Sequence, residues 1–117
     1  MILYGQLHSK ANSRRAVINR RTGKAMYIKS AEALECVASF QAQAREQWQG
    51  EPLEGPVTLI AYIYYPSRRQ DLDESLLMDL LQGIAYHNDR QIECKVIRRG
   101  LDKVHPRVEL QVEPFGG

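Results

Sequence analysis

The run Val57–Tyr65 reads VTLIAYIYY, mostly β-branched and aromatic residues fenced by Pro56 and Pro66. Such side chains favour a pleated, half-buried surface, and proline at either end stops pairing, so this run predicts a strand. Alternate faces of it belong to core and surface, which divides Tyr62 and Tyr64 from Tyr65. The other elements are arranged around this strand. Ile2, Tyr4, Gln6 and His8 alternate with Leu3, Gly5 and Leu7, predicting a first strand over Ile2–His8. Ser9 to Gly23 is polar and basic, with turn signals at Asn12-Ser13 and Thr22-Gly23, and reads as a loop that a short strand, Ala25–Ile28, closes.

Helical spacing follows. Ser30 is placed to cap a helix whose opening turns carry Glu32 and Glu35. Leu34, Val37, Phe40, Ala44 and Trp48 then recur on one face as far as about Gln49, and Gly50 ends the run. This stripe is core packing and contains no organic-cofactor box. A second helix starts near Asp73 and stops around Gly83, with Leu76, Leu77, Leu80, Leu81 and Ile84 as its apolar face. Ile92–Arg99 and Val108–Val112 predict two more strands joined by a loop around Gly100–Pro106. The order predicts a single α+β domain over residues 1–117, a mixed β-sheet with two helices packed on it.

Composition narrows the setting. The chain of 117 residues suffices for one modest core, and 44% hydrophobic with 26% charged residues is ordinary for a globular protein. No apolar run reaches the ~18–20 residues of a membrane span, and MILYGQLHSK is too short for a secretory signal. Cys36 and Cys94 lie in no metal-ligand spacing and read as reduced thiols, so a cytoplasmic protein without a membrane partner is expected. The net charge of +2 hides an asymmetry. Residues 1–31 hold no acid and seven bases, namely Lys10, Arg14, Arg15, Arg20, Arg21, Lys24 and Lys29. A basic segment of this kind suits an anionic partner or a solvated loop.

The chemistry points to Asp71-Leu72-Asp73 and Asp89. Carboxylates at i and i+2 of an extended segment face the same side and repel unless a cation sits between them. Mg²⁺ takes such hard oxygen ligands, with Mn²⁺ an alternative. A metal there polarises a phosphoryl oxygen and activates water, the needs of phosphodiester hydrolysis. Arg68 and Arg69, directly before the pair, are candidates to hold flanking phosphates. A capping Asp beside a surface Asp is the plainer reading of the same residues. His8, His87 and His105 have no ligand spacing, although His87 lies close to Asp89.

Residues 66–92, PSRRQDLDESLLMDLLQGIAYHNDRQI, resemble the signature of RusA-type Holliday junction resolvases. The matching steps are Asp71-Leu72-Asp73, Asp79-Leu80-Leu81, Gly83-Ile84-Ala85-Tyr86 and Asn88-Asp89-Arg90-Gln91-Ile92, and His8–Arg14 is similar to the family's N-terminal loop. The resemblance implies a homodimeric, Mg²⁺-dependent endonuclease that nicks two opposed strands of four-way DNA junctions, in recombination or repair. It implies that Asp71, Asp73 and Asp89 are catalytic, metal-binding carboxylates. The basic N-terminal segment, with Lys10, Asn12, Arg14, Arg15, Arg20, Arg21 and Lys24, would lie on DNA backbone. The chain departs from the pattern at three places. Glu74 stands where the family has Asn, no Lys lies between Asp73 and Asp79 where the family has one, and Asn88 replaces the first acid of a pair. Glu74 is thereby a candidate further ligand, and Lys10, Arg69 and Lys95 are candidates for the missing charge. The alternative is a catalytically weak or inactive relative that binds branched DNA.

Overall fold

The computed structural model describes residues 1–7, 14–18, 25–29 and 31–116, with side chains for 1–7 and 34–116. In chain order the elements are β1 (Ile2–Tyr4), β2 (Arg14–Ile18), β3 (Ala25–Lys29), α1 (Ala31–Gln47), β4 (Val57–Tyr65), α2 (Ser75–Leu80), β5 (Ile92–Leu101) and β6 (Arg107–Pro114). The fold is the expected α+β domain, with a mixed four-stranded sheet in the order β1-β6-β4-β5.

β4 occupies the whole run marked out by its side chains, and it alternates as the pleat requires. Val57, Leu59, Ala61, Ile63 and Tyr65 are buried, while Tyr62 is exposed on the opposite face. β6 flanks it antiparallel and β5 flanks it parallel. Phe40 and Ala44 of α1, Leu76, Leu77 and Leu80 of α2, and Leu81, Ile84, Ala85 and Tyr86 beyond it join the buried residues of β4 in one core. Burying each such Leu or Phe contributes roughly 1.5–3 kcal/mol, so this face holds the two helices to the sheet. Leu34 at the start of the α1 stripe stays exposed. No described helix is long and apolar enough to cross a membrane.

The edge strand β1 is tied down by side chains. Gln43 accepts from Tyr4 N at 2.7 Å and donates to Tyr4 O at 2.9 Å; Gln47 does the same for Ile2 N and O at 2.8 and 2.7 Å. Two amides four residues apart on α1 thus supply the donors and acceptors that a neighbouring strand would, which blunts an edge open to foreign pairing.

Four expectations need correction. β1 ends at Tyr4 rather than His8, because Gly5 takes φ 132° and its N–H turns to Pro106 O at 2.9 Å. The stretch read as a loop contains β2, which pairs with β3 from Arg14↔Lys29 to Ile18↔Ala25. Its two leading arginines masked the β-branched Val17 and Ile18, and cross-strand pairing is invisible in one strand alone. α2 closes at Leu80, not Gly83, and a turn with Gly83 at φ 83° follows. β5 runs on to Leu101, past the expected Arg99; the expected loop then joins it to β6 on the other side of β4. That connection is pinned by Asp102, whose carboxylate accepts from Val104 N, His105 N and Arg107 Nη1 at 3.0, 2.9 and 2.7 Å. Arg107 in turn lies 4.0 Å from the Tyr64 ring centre, across from Gly100, where any Cβ would overlap that ring. His8 and the capping residue Ser30 lie outside the described residues.

Candidate active site

The chain leaves β4 through Pro66 and a turn closed by Ser67 Oγ on Gln70 Oε1 at 2.9 Å, then crosses Asp71–Glu74 in irregular backbone to reach α2. Asp71 and Leu72 are exposed. Asp73 is fixed at both of its ends: its N–H donates to Tyr65 Oη at 3.2 Å, and Oδ1 accepts from Ser75 N at 2.9 Å. This is the capping bond expected of Asp73, although helical geometry starts one residue later and Glu74 holds the cap position with no side-chain cap bond of its own. Burial raises the Tyr65 phenol pKa, and the neighbouring Asp73 and Glu74 charges push the same way.

β5 completes this site. It runs parallel to β4 with Lys95 beside Leu59 and Arg99 beside Ile63, so both cations share the helix-bearing face with those buried residues. Lys95 Nζ sits 2.7 Å from Glu74 Oε1 and 3.9 Å from Met78 Sδ. Arg99 Nη2 donates to Gln70 O at 2.8 Å, and its guanidinium lies 5.9 Å from the Tyr65 ring centre. One strand therefore grips the acidic segment at both ends. Of the candidates for the absent helical Lys, Lys95 is placed against Glu74, Arg69 is exposed, and Lys10 lies outside the described residues. Arg99 was missed in the sequence, because only the register of a parallel strand reveals it.

Asp89 belongs to a second constellation past the end of α2. Gly83 N donates to Tyr86 O at 2.7 Å, and the buried Tyr86 donates its hydroxyl to Met78 O at 2.6 Å. Burial, then the charges of Asp89 and Asp79, push the Tyr86 phenol pKa far up, so it remains a donor. Asn88 Oδ1 accepts from Arg90 N at 2.9 Å and caps the single 3₁₀ turn Asp89–Gln91. Gln91 accepts from His87 N and Asn88 N at 2.8 and 2.9 Å and donates to Leu53 O and Gly55 O at 2.8 and 2.9 Å. Asn88 in place of an acid is thus a capping residue. Asp89 itself is held by its N–H on Gln82 Oε1 at 3.2 Å.

The charges of Asp73 and Glu74 act on Tyr65 at the start of α2, and those of Asp89 and Asp79 act on Tyr86. Among the described residues no three His, Cys, Asp or Glu side chains come together to hold a metal. Glu74, the candidate further ligand, is engaged by Lys95. The donor chemistry still suits Mg²⁺, which binds through one or two protein carboxylates and fills its shell with water and substrate phosphate. Asp71 and Asp73 are such a pair.

Of the expected DNA contacts, Arg68 and Arg69 are exposed at the turn before Asp71. Arg14 and Arg15 open β2, and Lys10, Asn12, Arg20, Arg21 and Lys24 lie outside the described residues. His87 is exposed with Nε2 3.7 Å from Glu54 Oε1, and His105 is exposed in the Asp102 loop. Cys36 and Cys94 are not joined in a disulfide, and Cys36 Sγ donates to Gln6 O at 3.2 Å.

Comparison with curated proteins gives no match. The family model described as Endodeoxyribonuclease RusA matches residues 8–113, a span that takes in both acid constellations and β2 through most of β6. With nearly the whole chain covered, the protein belongs to the RusA endodeoxyribonuclease family.

Proposed function

We propose that this chain is a structure-selective DNA endonuclease that resolves four-way junctions by Mg²⁺-dependent phosphodiester hydrolysis, with paired nicks made by a homodimer. Two sites related by a two-fold axis would answer to the two strands that have to be cut. The observation that carries this reading is the family match over residues 8–113 with its acidic segment gripped by two cations of one strand.

Asp71 and Asp73 would hold the ion, with Asp89 as the third catalytic carboxylate. The ion's part is to neutralise phosphate charge and make a bound water more acidic. The chain's own residues do the rest. The Tyr65 hydroxyl and the Ser75 N–H fix Asp73, so its carboxylate points where α2 and β4 direct it. Lys95 removes the Glu74 charge from a stretch that otherwise carries three carboxylates in four residues, and it stands near enough to place positive charge against a phosphate. Arg14, Arg15 and the other N-terminal bases would bind backbone phosphates without reading sequence.

Cleavage of a synthetic four-way junction with Mg²⁺ or Mn²⁺ tests this reading. Asp73→Asn keeps the cap acceptor for Ser75 and removes the charge, so cutting should fall more than about a hundredfold while junction binding persists. Equal cleavage by the variant would remove Asp73 from the mechanism. Glu74 and Asn88 at altered positions, and no Lys between Asp73 and Asp79, favour a second reading, a branched-DNA binder with weak or no turnover. Tight junction binding by a wild-type chain that does not cut would establish it.

A further inference from the structure

Behind the Ser67–Gln70 turn lies an open cavity of about 350 Å³ lined by Arg68, Arg99, Gly100 and Leu101. Its two charged walls are both arginines, and they come from different elements: Arg68 from the turn, Arg99 from β5. Arg99 is preoriented, because Gln70 O takes one Nη2 hydrogen and the Tyr65 ring lies against its plane. A guanidinium has five N–H donors in a fixed fork, so this anchoring leaves most of them for another acceptor. Arg99 joins the cavity to the backbone one residue before Asp71.

We propose that this cavity is a subsite for one backbone phosphate of the DNA strand, clamped between Arg68 and Arg99 next to the acidic segment. It rests on the junction-nuclease reading for its substrate but not on turnover. Two converging arginines match the oxygens of a phosphodiester better than a carboxylate partner on a second protein, which would bring its own bulk into so shallow a space. Gly100 leaves that rim without a side chain. The anchoring by Gln70 O couples the subsite to the acids, since a phosphate pulling on Arg99 pulls on the backbone one residue before Asp71.

The test is the salt dependence of binding to a labelled four-way junction in Ca²⁺, read by fluorescence anisotropy, with cleavage in Mg²⁺ read separately. Arg68→Ala should weaken binding about tenfold at low salt and lower the slope of log K against log salt by about 0.9, the loss of one phosphate contact. Arg99→Lys keeps charge but loses the fork; it should weaken binding several-fold and also reduce cleavage at saturating DNA. Arg45→Ala, on the far end of α1, serves as the control and should change neither. Unchanged slope in Arg68→Ala and unchanged affinity in Arg99→Lys, with both variants folded by circular dichroism, would overturn the subsite. A wild-type chain that binds with the Arg68-dependent slope yet never cuts would sink the nuclease reading and leave the subsite standing. Loss of binding to an acidic peptide instead of DNA would overturn the proposal.

Discussion

Two polar stretches flank α2, and they are built in opposite ways. In His87–Ile92 the two side-chain amides are answered within the fold: Gln91 alone makes four hydrogen bonds, and Asn88 caps the turn it opens. In Gln70–Glu74 the backbone is anchored but charge is left at the surface, with Asp71 exposed and Glu74 bound by a cation from another strand. A side chain whose bonding capacity is used internally is architecture, and one whose charge the fold gathers and exposes is available for chemistry. The resemblance places both stretches in one motif, and the second holds its acid, Asp89, by the N–H on Gln82 Oε1.

That contrast breaks first at Gln91. Gln91→Ala removes four bonds, two from the His87 and Asn88 N–H groups and two that tie the 3₁₀ turn to Leu53 and Gly55, and should cost about 2–3 kcal/mol, roughly 10 °C in Tm, by thermal denaturation. Junction cleavage by the folded fraction at 20 °C should change far less. A stable Gln91→Ala protein that cannot cut would mean that the turn's bonding serves to position Asp89 rather than to hold the fold. Tyr86→Phe is the milder version. Losing the 2.6 Å bond to Met78 O should cost about 1–2 kcal/mol with cleavage kept.

Lys95 is the reverse case. Its contact with Glu74 is partly exposed, and such pairs contribute about 0–1 kcal/mol, so Lys95→Met should hardly move the Tm. Cleavage should drop at least about tenfold if the lysine places charge against the scissile phosphate. Glu74→Gln, which frees Lys95, should cut as well as wild type or better. If Glu74→Gln also loses activity, Glu74 itself is a ligand and the pairing seen here is a resting arrangement.

How much of this was legible depends on range. β4 and the leucines of α2 are written in local period, since side chains alternate on a strand and recur every third or fourth residue on a helix. The Asn88 cap was legible in principle too, as Asn followed three residues later by Gln is a turn-opening signature. β2 was hidden by Arg14 and Arg15, because a two-stranded ribbon shows its partner only once folded. The relation of β5 to β6 was hidden because neighbours in sequence usually neighbour in space, and here β4 intervenes. The approach of Lys95 and Arg99 to the acidic segment depends on that same parallel pairing, about 20–30 residues away in sequence. The acids themselves could be named from sequence; which of them share a neighbourhood could not.

The smallest effect concerns the loop that makes that topology possible. Asp102 is held below the usual carboxylate pKa by the His105 N–H and then by the Arg107 guanidinium, both of which bind its ionised form. A carboxyl lowered in the folded state contributes stability that is fully present above its unfolded value of 3.8 and is lost as pH falls through the folded value. The Asp102 contribution should therefore be constant from neutral pH down to about 4 and disappear below it. Asp102→Asn should lower Tm slightly at pH 7 and narrow its gap from wild type as pH drops below 4. Cleavage at neutral pH should be untouched, because the loop joins β5 to β6 beyond the end of β4 and touches neither acidic group. A gap that widens in acid would mean that Arg107 is held by Glu109, its other carboxylate at 2.7 Å, and that Asp102 only follows.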